Sequence, residues 1–305
     1  MEEKNDTDKL NLEIVKASVL TRCGIFVVDL FIVVLITLIF QTWIIAPIGS
    51  NITNYSEKMQ LYRETLISSH LYGYGEENIE QIDKLFDFEK NSVSDYIAYL
   101  DENITKFYST FEGMNIDDYL NNKKESGLFN IDENNNYTTK PTILETTYKE
   151  FYEDQLLIAI SQLNKNDLVL DLSRFNTIFT IITIVSSASI SLIIFYLIIP
   201  LLFKNGETLG KKLLSVGLVS AKDGFRVKKS QIIIRFLSFY LLEVVLSIFT
   251  IGIPLIVSFS LMFFTKKGTA LHDYLSATIC VDKKQSVIYK DYDEFIKHEE
   301  LLMNN

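Results

Sequence analysis

The chain has 305 residues, 22% of them charged, and a formal net charge of −10, with a mean hydropathy of +0.17. That average joins two unlike parts, a set of long apolar runs and one acidic, water-soluble segment, and so excludes a wholly soluble protein. The acidity of the soluble part also argues against nucleic acid as its partner.

Residues 1–23 form a short amino-terminal segment, and 24–48 are the first apolar run. The run exceeds the 18 or so residues that mark a spanning helix. Its apolar core is too long for a cleaved signal peptide, and no A-x-A site follows it, so it reads as a retained span. Asp29 sits about one and a half turns inside this run, with Arg22 two turns before it on the same face. A carboxylate at that depth costs several kcal/mol unless it is paired, which makes it a candidate functional group.

Residues 49–174 carry eleven basic and twenty-three acidic residues. Apolar residues at three- and four-residue spacing predict helices over 53–72, 79–90, 92–112 and 142–164. Glycines 73, 75 and 113, and the Asn-rich stretch ending at Pro141, mark the loops between them. Seventeen Phe and Tyr residues in the segment are enough for a core of its own, and core packing is the plain reading of them.

The second apolar run covers 175–203. Thr180, Thr183, Ser187 and Ser191 fall on one stripe of it, a pattern of close helix packing or of a path for a cation or proton. The loop 204–230 changes periodicity: a turn at Asn205-Gly206 enters a short amphipathic helix, Val216–Ser220 reads as a strand, Lys222-Asp223-Gly224 as a turn, and Phe225–Val227 as a return. Lys211 and Lys212 are placed at the lipid head groups. A third β-prone piece, Thr278-Ile279-Cys280-Val281, predicts a small sheet.

The third apolar run, 231–264, would make a helix of about 50 Å, well over the roughly 30 Å of hydrocarbon. Gly252 and Pro254 interrupt it, and basic residues flank both ends, so a hairpin is expected: about 231–250 outward and a shorter return at 253–264. One long tilted helix is the alternative. Residues 265–305 form the carboxyl-terminal segment.

The predicted fold is therefore an all-α membrane protein. Its four-helix transmembrane bundle, with helices three and four a short hairpin, carries a helical extracytoplasmic domain and a small β-containing cytoplasmic element. Residues 204–230 hold seven basic and two acidic residues, and 265–284 hold four and two. Basic segments stay inside, so both termini and 204–230 are expected in the cytoplasm and 49–174 outside the cell membrane. Cys23 and Cys280 fall on the inner side, and neither a disulfide framework nor a zinc spacing is present. Richness in Asn, Lys and Ile reads as the bias of an AT-rich bacterial genome.

Arg22 and Asp29, the stretch GETLGKKLLSVGLVSAKDG at 206–224, Arg235, and TALHDYLSATICV at 269–281 together resemble the RDD family of bacterial membrane proteins. Blocks 17–48 and 175–284 carry the resemblance. The name-giving arginine and first aspartate fall on Arg22 and Asp29, and the second aspartate on Asp273. The resemblance implies membrane location, with ion transport for some members. The long insertion 49–174 departs from the family's usual short loop.

The candidate charge network is Arg22, Asp29, Arg235, Glu243 and Asp273. Asp29 and Arg235 lie roughly 6–8 Å inside the same boundary, so they are expected to pair. Glu243, about 12 Å deeper, has no basic residue at its level; burial without a cation favours the neutral acid, and the hydroxyl stripe is its expected neighbourhood. Thr269 is read as the N-cap of a short helix carrying His272 and Asp273, which are assigned an anchoring role against Lys211, Lys212 or Arg22. No catalytic residue, cofactor or metal is expected, because no activated Ser or Cys and no metal spacing is in sight. Two functions remain open: an ion-coupled transporter or ion-translocating subunit, assembled as a homo-oligomer in the lipid bilayer and moving a small cation or proton, and a sensor or assembly factor whose domain 49–174 binds an extracytoplasmic ligand or partner.

Overall fold

The computed structural model describes residues 14–75, 82–85, 92–133, 136–265 and 268–303. Among the described residues it is mostly helical, with three small antiparallel sheets and three helices long and apolar enough to cross a membrane. The chain forms two compact units, Met1–Ala46 with Thr183–Asn305, and Pro47–Ile182.

Helix α1 runs from Val19 to Thr53. Ser18 caps it, accepting a hydrogen bond from the Thr21 N–H at 3.1 Å. At Gln41–Ile45 the helix widens into a π turn, and residues such as Phe31, Ile39 and Trp43 are left exposed on its outer face. Apolar surface of that extent is stable only against lipid or another apolar partner.

The second unit contains α2 (Tyr55–Ser68), β1 (Tyr72–Tyr74), β2 (Ile82–Lys84), α3 (Val93–Thr110), α4 (Ile116–Glu125), β3 (Phe129–Ile131), β4 (Tyr137–Thr139) and α5 (Glu145–Leu163). The helix expected over 79–90 is corrected at its centre: residues 82–84 pair with 72–74 as a hairpin, and 79–81 and 86–90 lie outside the described residues. The core of the unit is Leu66, Leu100, Ile104, Phe107, Tyr108, Tyr119, Phe129, Tyr148, Tyr152 and Leu156, among others. The predicted aromatics thus do form a core. Lys123 is buried within it, paired with Asp101 and ringed by Tyr119, Phe129, Tyr137 and Tyr152 at 4.8–5.8 Å. The carboxylate and the ring faces together replace the water that the ammonium loses.

Helix α6 spans Asp167–Leu202 and has a π turn at Ile194–Ile198. It leads to α7 (Leu209–Leu213), β5 (Val216–Ser220), α8 (Lys229–Phe249), α9 (Ile253–Phe264), α10 (Leu271–Leu275), β6 (Thr278–Asp282) and α11 (Tyr292–Met303). The third apolar run is broken where Ile251 and Gly252 both take left-handed backbone, at φ 52° and 82°, and Pro254 opens α9. With twelve residues, α9 is about 18 Å long, shorter than the hydrocarbon layer.

Within the first unit the helices touch through few polar contacts. Gln41 of α1 donates to Thr183 Oγ1 at 3.0 Å and accepts from Ser187 Oγ at 2.7 Å. Tyr240 donates to Ser189 at 2.9 Å, and the rings of Phe26 and Phe259 meet edge to face at 5.4 Å. Strands β5 and β6 pair from Val216↔Asp282 to Ser220↔Thr278. Residues 15–17 extend the sheet along β6 through Lys16↔Val281, and Arg226 pairs with Val219 on the other edge. The segment before α1, the loop between α6 and α8 and the segment after α9 are therefore hydrogen-bonded into one sheet.

Candidate functional site

A cavity of about 120 Å³ lies in the first unit, lined by Arg22, Asp29, Arg235, Glu243 and Asp273 together with Lys211, His272 and Cys280. All five residues of the predicted charge network converge there. Asp29, Glu243 and Asp273 are 2, 3 and 3% exposed, so each needs a partner within the protein.

The pairing differs from the expected Asp29–Arg235 contact. Asp29 is held by the loop instead: Thr208 donates its hydroxyl to Oδ2 at 2.6 Å, and the Gly210 N–H donates to Oδ1 at 2.8 Å. Residue 210 must be glycine for this approach, since a Cβ there would sit 2.4 Å from Asp29 Oδ1. Arg235 turns to Asp273, with Nη2 2.8 Å from Oδ1. The correction has a simple cause. A helical-wheel estimate of depth weighs only groups within the spans, whereas α7 and α10 pack against those spans and supply closer partners.

Glu243 is corrected in the same way. It accepts from the His272 N–H at 2.9 Å, and its Oε1 lies 2.9 Å from His272 Nδ1. The hydroxyl stripe is not its neighbourhood: Thr183 and Ser187 bind Gln41, Ser191 donates to the Ser187 carbonyl, and Thr180 lies on an exposed part of α6. Glu243 stands in a π-helical stretch, Ser238–Val245. Eight residues of regular α-helix would leave Arg235 and Glu243 about 80° apart in azimuth. The wider π turns reduce that angle, so both side chains face the cavity and flank His272. Arg235 Nη2 is 3.0 Å from His272 Nε2. Because guanidinium can only donate, Nε2 accepts, and the proton of a neutral ring is on Nδ1, directed at Glu243.

The remaining assignments also shift. Arg22 reaches the Gly268 carbonyl through Nη1. Lys212 is exposed, over the Phe203 ring at 4.5 Å, but Lys211 is buried and lines the cavity. Ala270, with no side-chain hydrogen bond, caps α10 in place of Thr269. Glu207 anchors the loop to the far segment through Lys283 at 2.8 Å.

Burial pushes the Asp273 carboxyl up, but Arg235, His272, Lys211 and Arg22 outweigh it and hold the group below the usual carboxylate range. Lys211 is pushed below the usual lysine range by burial and by the Arg235 charge, against the pull of Asp29 and Asp273. Burial, then the Asp273 charge, raises the Cys280 thiol, so it is a poor nucleophile. Among the described residues no group of three or more His, Cys, Asp or Glu side chains is arranged to hold a metal ion.

His272, Thr208, Gly210 and Lys211 are the site residues that sequence reasoning missed in these roles. His272 was visible as the neighbour of Asp273, but nothing in the spacing connects it with Glu243, 29 residues away.

Residues 154–277 match the RDD family model. The match begins within α5, takes in α6 through α10 and ends just before β6; Arg22 and Asp29 lie outside it. The resemblance seen in the sequence is thus shown over this block. No curated protein matches the chain. No solved structure matches it either.

Proposed function

We propose, starting from a multi-pass membrane protein with an RDD family domain at residues 154–277, that the chain is an ion-coupled transporter whose charge carrier is the Glu243–His272 pair. The observation that supports this reading most is a carboxylate on a π turn of a spanning helix, 3% exposed, hydrogen-bonded to a histidine that also accepts from Arg235. When Glu243 takes up a proton, its hold on the Nδ1–H weakens and the ring is free to turn. When Glu243 releases it, the ring is drawn back. Arg235 keeps Asp273 in either state and so fixes the far end of the chain of contacts. Asp29, held by Thr208 and Gly210, couples the same event to the loop between α6 and α8. The protein performs no covalent chemistry in this reading.

The proposed arrangement is a four-helix bundle, with α8 and α9 as a short hairpin and a homo-oligomer completing the enclosure. Residues 15–17, 216–220 and 278–282 lie in one sheet, which fits a shared cytoplasmic side; the basic content of 204–230 supplies the orientation. The acidic residues 49–174 are then extracytoplasmic. Labelling of engineered cysteines from each side of intact cells tests this, and finding positions 222 and 284 on opposite faces defeats it.

The transport reading is tested with the full chain in liposomes, following proton and sodium movement for the wild type and Glu243→Gln. Flux lost in the variant with insertion unchanged supports the proposal. Equal flux in both overturns it.

A second reading, a sensor or assembly factor, is favoured by one observation: the second unit has an aromatic core of its own. Deleting 55–165 separates the two. Retained ion flux favours transport, whereas intact insertion with loss of a co-purifying partner favours sensing or assembly.

A further inference from the structure

Two of the cationic side chains that line the cavity, Arg22 and Lys211, form no salt bridge among the described residues. Lys211 is 6% exposed and lines the cavity, yet among the described residues no carboxylate oxygen lies within salt-bridge distance of its Nζ, and no acceptor is hydrogen-bonded to it. The Nε of Arg22, another cavity residue, is buried and also lacks a partner. The nearby carboxylates have other partners: Asp29 has Thr208 and Gly210, Asp273 Oδ1 has Arg235, and Asp273 Oδ2 has the Cys280 thiol at 3.9 Å. Both side chains line this same cavity, Arg22 with its Nη1 already on the Gly268 carbonyl and its Nε left over. A buried guanidinium N–H without an acceptor is costly, as is a cation on a largely buried side chain with no carboxylate at salt-bridge distance, and an anion set between them would satisfy both.

We infer that this cavity binds a phosphate group, with Lys211 Nζ and Arg22 Nε as its donors. A planar guanidinium beside a compact ammonium suits a tetrahedral oxyanion, offering a directed donor and a mobile one. The same two charges repel a free cation. The volume, about 120 Å³, is several times the ~10–15 Å³ a single water requires. Ile25, Phe26, Phe236 and Phe259 are among the apolar residues of the wall, and Phe26 is also partly exposed on the outer face of α1. The phosphate group is that of a free oxyanion or of a lipid head group whose chains stay outside. The inference does not depend on Glu243 carrying protons, since it uses different side chains.

The test uses the purified full chain in a neutral detergent. Thermal unfolding is followed while inorganic phosphate replaces chloride at constant ionic strength, and separately while phosphatidylglycerol replaces phosphatidylcholine in the micelles. A saturable rise of the midpoint is expected with at least one probe. A response to phosphate assigns a free oxyanion, and a response to phosphatidylglycerol alone assigns a lipid head group. Lys211→Met should raise the half-saturating concentration by about tenfold or more; Lys211→Arg and the surface control Lys212→Met should leave it nearly unchanged. Where Lys211→Met does not fold, Arg22→Lys, which keeps the charge and deletes the Nε donor, takes its place with a loss of about threefold or more. The inference is overturned by no saturable response in the wild type, by equal loss in Lys212→Met, or by wild-type binding in the folded cavity variant.

Discussion

His272 Nδ1 lies 2.9 Å from Glu243 Oε1 while its Nε2 lies 3.0 Å from Arg235 Nη2. One imidazole thus separates a carboxylate from a guanidinium, and the donor-only chemistry of arginine sets the ring's tautomer. Replacing His272 with Leu is expected to lower proton flux by about tenfold or more while the Arg235–Asp273 pair persists. Nitrogen NMR of the histidine ring checks the tautomer; a doubly protonated ring at neutral pH contradicts it.

Arg235 and Asp273 form a buried pair, and leaving one charge alone is worse than losing both. Asp273→Ala should destabilise the protein by about 3–5 kcal/mol. The double variant Arg235→Met with Asp273→Leu should recover part of that loss. Unfolding midpoints in detergent decide the matter, and a double variant as unstable as the sum of the singles rules the coupling out.

Gly210 and Asp29 are coupled through contact. With the Cβ position only 2.4 Å from Asp29 Oδ1, Gly210→Ala must displace either the carboxylate or α7, at about 1–3 kcal/mol. In an Asp29→Ala background the obstruction is gone, so the same change should cost much less. A double-mutant cycle measures the difference; purely additive effects contradict the contact.

Asp273 also predicts an acid response. Its folded-state carboxyl lies below the ordinary aspartate pKa of 3.8, so the folded state binds a proton less readily than the unfolded chain. The stability this contributes is present above pH 3.8 and is lost as the pH falls below that value through the folded pKa. Asp273→Asn should flatten that acid limb of the stability profile, and an unchanged profile contradicts the assignment.

Tyr108 predicts the opposite limb in the second unit. Its hydroxyl is buried without a hydrogen bond among the described residues, and burial, helped by Asp118, pushes its pKa up to about 12. The unfolded chain releases this proton near pH 10 and the folded one near 12, so stability falls as the pH rises between the two. Tyr108→Phe should reduce that alkaline loss and, by removing an unsatisfied polar atom, be neutral or stabilising by about 1 kcal/mol at pH 7. Denaturation of the full chain at pH 7 and pH 11 tests both parts.

Much of the layout was legible from local pattern alone. The apolar runs, the break at Gly252 and Pro254, the strand at 216–220 and its partner near 278–281 each follow from residues adjacent in the chain, as does the aromatic core of 49–174. Other elements were not legible: the helix Ile116–Glu125 and the hairpin of β3 and β4 fall where no element was expected, and at 82–84 helical spacing and a short hairpin are hard to tell apart over so few residues, so that pairing with 72–74 decides between them.

Sequence by itself determined which charges had to be satisfied, because Asp29 and Glu243 stand in stretches too apolar to hydrate them. Which groups satisfy them was decided only by the tertiary structure. The partners Thr208, Gly210 and His272 come from the loop and from α10, segments 179, 181 and 29 residues distant along the chain, and helical periodicity carries no information across such separations. The burial of Lys211 beside the exposed Lys212 follows from the same limit: one position along a short helix rotates a side chain by about 100°, and only the packing of α7 against α1 says which of the two faces inward.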